Sequence, residues 1–176
     1  MAQSAIASTP MSDQSAAKAT KSTSSRNLDA VLKASAVLWV IWGLAHIAFG
    51  ALGLNGFMAG EAAETMKAMA GGADPASLEV SYPPAVVALL NQHSWNLLWF
   101  GLFTALGGVM IWRRSAVAVV MTAIVGGAAD AGYFVFVDLG GFAAPPGPQM
   151  TWISATAIVL SLFVYFRSDR LKSLSP

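Results

Sequence analysis

The chain contains no cysteine. That excludes disulfides, cysteine-ligated zinc, iron–sulfur clusters and thiol catalysis together, and leaves the redox compartment open. Charge is the second scarcity: Asp, Glu, Lys and Arg make up 11% of the residues, where soluble chains carry about 25%. The formal net charge is +1, and no basic face exists to neutralise phosphates, so nucleic acid is excluded as a partner. No glycine loop stands in the context that cradles a phosphate: Gly71–Gly72 and Gly140–Gly141 are turns without a flanking lysine. No HExxH pattern or nucleophile elbow occurs, and Ser94 before Trp95 is not one.

What the chain has instead is apolar length, with 56% of its 176 residues hydrophobic. The central stretch is Ala116–Val137, bounded by Arg113 and Arg114 before it and Asp138 after it, with Asp130 its only carboxylate. A helix rising about 1.5 Å per residue crosses a bilayer core of about 30 Å in about 20 residues, so this stretch is long enough to span. An aspartate inside it costs about 2.5–3.5 kcal/mol on insertion scales, and something must face it.

Further spans are expected at about 34–54, 90–112 and 150–166. The fold class is therefore all-α: an integral membrane bundle of four transmembrane helices in residues 31–166, with the lipid bilayer as its first partner. In Ala34–Leu54, Ala36, Gly43 and Gly50 recur every seven residues, and His46 shares their side. Such small residues admit a neighbouring helix. Gly101, Ala105 and Gly108 form a second stripe, and Ser154, Ala157 and Ser161 a third. Gly126 and Gly127 leave room for a neighbouring helix one turn before Asp130. Ala85–Trp112 is longer than an upright span needs, and its first third carries Asn91, Gln92, His93 and Asn96 near one interface. Gly60–Ala70 reads as a short external helix lying on the membrane, with Glu61 and Glu64 on its wet side and Gly71–Gly72 ending it.

Residues 1–30 lack an apolar run fit for a secretory signal and read as a flexible cytoplasmic tail. Residues 167–176 read as a basic one. Lys18, Lys21, Arg26, Lys33, Arg113, Arg114, Arg167, Arg170 and Lys172 fall on one side of the spans and Lys67 alone on the other. The positive-inside rule puts both termini in the cytoplasm. The Ala/Gly-heavy composition points to a bacterial cytoplasmic (inner) membrane. Trp112 and Tyr165 near the inner surface, with Trp95 and Trp152 near the outer, suit an aromatic belt.

Counting from the basic end places His46 about 18 Å, Asp130 about 22 Å, Asn96 about 24 Å and His93 about 28 Å along their helices. Polar groups from three spans thus converge in one outer layer. The expectation is an outward-facing pocket between helices, with His46 and Asp130 as its floor, Asn96 and His93 near its mouth, and Trp95, Trp99 and Trp152 as walls. Its occupant would be a small or lipid-like ligand, a partner membrane subunit or a second copy of the chain. Each member also has a plain structural role: His46 bonded to a carbonyl or to Asp130, Asp130 hydrogen-bonded in packing, the tryptophans as belt.

Two other chemistries stay open. His46, His93 and Asp130 are candidate metal ligands, and Met58, Met66 and Met69 are soft donors suited to copper. Bis-histidine haem is disfavoured because the two histidines differ in height by about 10 Å. A membrane-embedded enzyme would use His46 as acid and base, oriented by Asp130. The leading expectation is a non-catalytic accessory or binding subunit, with its cofactor, if any, unknown. The segments LWVIWGLAHIAFG and NLLWFGLFTALGGVMIWRR resemble small four-helix bacterial membrane proteins of the DoxX-like kind over most of Ala34–Phe166. That resemblance implies a compact bundle working with partners, and assigns no site residue.

Overall fold

A computed structural model describes residues 11–168, and all regular structure among them is helical. Helix α1 spans Met11–Met58, α2 Ala62–Met69, α3 Pro75–Leu78, α4 Pro84–Trp112, α5 Ala116–Tyr133 and α6 Gly147–Arg167. A π-helical turn, Phe134–Asp138, continues α5. Four of these helical segments are long and apolar enough to cross a membrane: Ser25–Met58, Pro84–Trp112, Ala116–Asp138 and Gly147–Arg167.

The first span does not begin after a structureless tail. Helix α1 is already formed at Met11, the first described residue. From there to Ala34 the chain holds no glycine or proline, and Ala, Lys, Gln and Arg favour helix. The rest of the expected tails, residues 1–10 and 169–176 with Arg170 and Lys172, lies outside the described residues. Pro84 occupies the first turn of α4, where its missing N–H costs nothing. The turn from α4 to α5 places Arg114 at φ 65°, and its guanidinium bonds Asp29 of α1 at 2.7 Å. The expected interfacial helix is α2, and a further short helix, α3, follows it. Its signal was Asp74–Pro75: Asp74 Oδ1 caps the helix by accepting from the Ala76 N–H at 3.2 Å.

The long helices form a ring in which α1 packs on α4 and α6, and α5 packs on α4 and α6, leaving α1 and α5 diagonally opposed. The tightest seam is α1 against α4. A Cβ placed on Gly43 would stand 2.5 Å from the Gly101 carbonyl oxygen, and one on Gly101 would stand 2.5 Å from that of Gly43. The two backbones touch because neither residue has a side chain, as the small-residue stripes anticipated. On the α1–α6 seam, Ser35 Oγ donates to the Ala157 carbonyl at 2.9 Å, and Ser154, Ala157 and Ser161 are buried. Gly126 serves differently from expectation. It faces the Trp39 ring rather than a helix backbone, since an added Cβ would collide with that ring.

Gly101→Val therefore lowers the thermal midpoint of the protein in micelles, followed by circular dichroism, through a loss of about 1–3 kcal/mol from overpacking. Gly132→Ala, where an added methyl group meets nothing within 4 Å, is neutral or mildly stabilising in the same assay, by up to about 1 kcal/mol.

Candidate functional site

The polar centre of the bundle is built on Asp130, which is 6% exposed. Its helix buries Val119, Thr122, Gly126 and Asp130, spaced three and four residues apart, so one face of α5 carries the carboxylate inward. From the opposed helix, Trp42 Nε1 donates to Asp130 Oδ2 at 2.9 Å. From α6, Ser154 Oγ donates to the same oxygen. Three helices thus meet on one carboxylate oxygen, and Oδ1 has no hydrogen-bond partner among the described residues.

His46 is not Asp130's hydrogen-bond partner. Its Nδ1 lies 2.9 Å from the Trp42 carbonyl oxygen, one turn back along α1. A carbonyl only accepts, so Nδ1 carries the proton. The imidazole is stacked on the Trp42 ring, with centroids 3.5 Å apart and planes 21° apart. The Trp42 side chain therefore occupies the role expected of the imidazole. The count along the helices gave height but not reach: an indole one turn nearer the basic end extends far enough to cross the bundle.

The remaining expected members are dispersed. Asn96 is half-buried, and its Oδ1 accepts from Trp99 Nε1 at 3.2 Å on the same helix. His93 is exposed. Trp95, Trp99 and Trp152 are exposed by 57%, 38% and 74%, so they cover the outside of the bundle rather than wall a pocket. Helical phase is the reason. The buried stripe of α4 runs through Ser94, Gly101, Thr104, Gly108 and Ile111, and a neighbour one position away points about 100° aside. No group of three or more His, Cys, Asp or Glu side chains poised for a metal occurs among the described residues.

A cavity does exist, but at the loop end of the bundle. It is an open groove of about 570 Å³, lined by Phe57 at the end of α1, Gly60, Ala62 and Ala63 entering α2, Val80–Tyr82 of the connection, and Pro84, Val87, Ala88 and Asn91 of α4. Gly60, at φ 83°, makes the left-handed turn that folds α2 back beside α1. Nothing in this lining carries a formal charge. The Asn91 carboxamide makes no hydrogen bond among the described residues, and its Oδ1 is completely buried. The sequence signal for this site was the polar cluster opening α4, of which Asn91 is the first member.

The connection bordering the cavity is held by Lys67, whose ammonium bonds Glu79 at 2.7 Å and Glu64 at 2.9 Å. Glu79 chiefly, and Glu64 with it, hold the lysine above its ordinary pKa. Lys67 in turn holds the Glu79 carboxyl below the usual glutamate value. The pairing therefore stabilises fully above the ordinary glutamate pKa and is lost as pH falls through the lowered value. At the alkaline side it is present below the ordinary lysine pKa and lost as pH rises through the raised one. Both ions face water, so salt screens the contact.

Two outcomes follow. Trp42→Phe and Ser154→Ala each cost about 1–3 kcal/mol in denaturant unfolding, and the double variant costs less than their sum, because both donors serve one oxygen. His46→Ala loses the stack on Trp42 and the bond to its carbonyl, about 1–3 kcal/mol together, and couples to Ser154→Ala only through Trp42, more weakly than Trp42→Phe does. Separately, the protection of amides 76–82 from hydrogen exchange, taken relative to the intrinsic rate at each pH, falls as pH falls through the Glu79 titration, and Lys67→Met or high salt removes that acid dependence.

No protein-family model matches this chain, and neither does any curated protein or any solved structure.

Proposed function

We propose that this chain is a multi-pass protein of a bacterial cytoplasmic membrane, with both termini inside, acting as a non-catalytic binding or accessory subunit whose ligand enters at its outer end. The distribution of Lys and Arg supports the orientation, since Arg113, Arg114 and Arg167 sit at the end opposite Lys67. The loop end, with α2, α3 and the cavity, then faces outward. The likeness to DoxX-like proteins fits a small subunit working beside others.

The observation that carries the binding reading is the uncharged cavity of about 570 Å³ between α1, α2 and α4, a size within the usual range of small-molecule sites. Asp130 and His46 have a different task. The carboxylate ties α1, α5 and α6, and the imidazole lies stacked on the tie. An acid and a base joined for catalysis would need to touch each other or a shared proton, and these two side chains have Trp42 as their common neighbour instead.

The test is native mass spectrometry of the full chain released from lipid nanodiscs. A retained small molecule is expected on the wild type and on His46→Ala. It is lost from Val87→Trp, in which the added ring fills the cavity. Retention by Val87→Trp, or loss only in His46→Ala, would overturn the proposal.

A further inference from the structure

The lining of the outer cavity restricts what it can hold. Phe57, Val80 and Val87 offer an apolar wall, and no lysine, arginine, aspartate or glutamate takes part. No charged group is there to meet an ion, so the lining favours a neutral occupant. The polar side chains are few and not equivalent, and Ser81 stands exposed at the rim. The Tyr82 hydroxyl already donates to the Leu78 carbonyl at 3.2 Å, and Ser94, a turn further along α4, already donates to Leu90. The Asn91 carboxamide alone in that wall sits in α4 with its oxygen buried and unbonded. A buried amide left without partners is costly. Because rotation about its last torsion exchanges oxygen for nitrogen, it can present either to a ligand.

Resting on the binding reading above, we infer that the cavity takes a neutral, single-headed amphiphile: a hydroxyl or carbonyl head against the Asn91 carboxamide, and an aliphatic body along Phe57, Val80 and Val87. Asn91 lies two turns into α4 from Pro84, at the inner end of the lining, so a molecule entering head first from the loop end meets the amide with its body trailing along Phe57, Val80 and Val87.

Two photoactivatable probes test the inference on the full chain in nanodiscs: a ten-carbon alcohol bearing a diazirine on its chain, and the same chain ending in methyl. Labelling is mapped by peptide mass spectrometry and normalised to Phe136 and Leu139, which are exposed by 76% and 68%. The alcohol is expected to label the segments 57–63 and 80–91 about three- to tenfold more than the alkane, the worth of one neutral hydrogen bond. Asn91→Leu equalises the two probes while alkane labelling persists. Equal rim labelling by both probes in the wild type leaves the cavity reading standing and overturns the head-group inference, as does an alcohol excess that survives in Asn91→Leu. Rim labelling by neither probe above the reference overturns both. Should Asn91→Leu fail to fold, the wild-type ratio decides.

Discussion

One indole N–H carries the connection across this bundle. Neighbouring helices in the ring meet through glycine, alanine and serine, but α1 and α5 are diagonal, and only a long side chain bridges such a gap. Trp39 and Trp42 are the two completely buried tryptophans, and they do it in different ways. Trp39 lays its ring against bare Gly126, while Trp42 donates to Asp130. Ser154 then closes the arrangement from α6. In an apolar interior an unmet carboxylate is costly, so the bond acts as a constraint as well as an attraction. Any rotation of α5 that turned Asp130 away would strand it. The pair fixes the phase of one helix relative to the other, which apolar contacts alone leave soft.

The cavity is a consequence of where the close packing stops. Small residues press α1 against α4 from Ala36 and Gly108 through Gly43 and Gly101 to Gly50, which meets Ser94 and Leu98. Gly53 still faces Ser94. Beyond it α1 presents Phe57 and then ends at Met58, while α4 continues through Asn91 to Pro84. A helix that outruns its partner leaves one flank to be covered by something else, and here α2 and the segment after α3 cover it incompletely. The seam of glycines and the pocket are thus two parts of one design: backbone contact below, space above.

Much of this was legible in the sequence, and the boundary of what was not is instructive. The four long apolar helices followed from length and charged stops, and the stripes at Gly43, Gly101 and Ser154 followed from their three-, four- and seven-residue spacing. Periodicity says which side of a helix is inward, and that side was assigned correctly wherever the residues were small. It failed for large ones. Trp42 stands beside Gly43, and nothing in a linear pattern says how far an indole reaches or which helix is opposite. The same limit made walls of Trp99 and Trp152, whose positions along the axis suited a pocket but whose azimuth did not. The π-helical turn at Phe134–Asp138 escaped for a different reason. Val137 to Asp138 reads as an ordinary helix end, and the one-residue insertion shows only in backbone bonds such as Leu139 N–H to the Phe134 carbonyl at 2.9 Å.

The histidine shows how a neighbour's geometry restricts chemistry. With Nδ1–H committed to the Trp42 carbonyl, a neutral His46 has only its Nε2 lone pair to offer, and a lone pair does not bond a carboxylate. For Asp130 to accept from Nδ1–H, as an orienting carboxylate does, the ring would have to leave that carbonyl, unstack from the indole and turn about its own axis. The unstacking would disturb the ring whose N–H holds Asp130. A catalytic dyad would therefore work against the contact that positions its own members. A tie and the proposed binding groove lie at different heights and have no such conflict: Asp130 can keep the helices in register whether or not the space beside Asn91 is occupied.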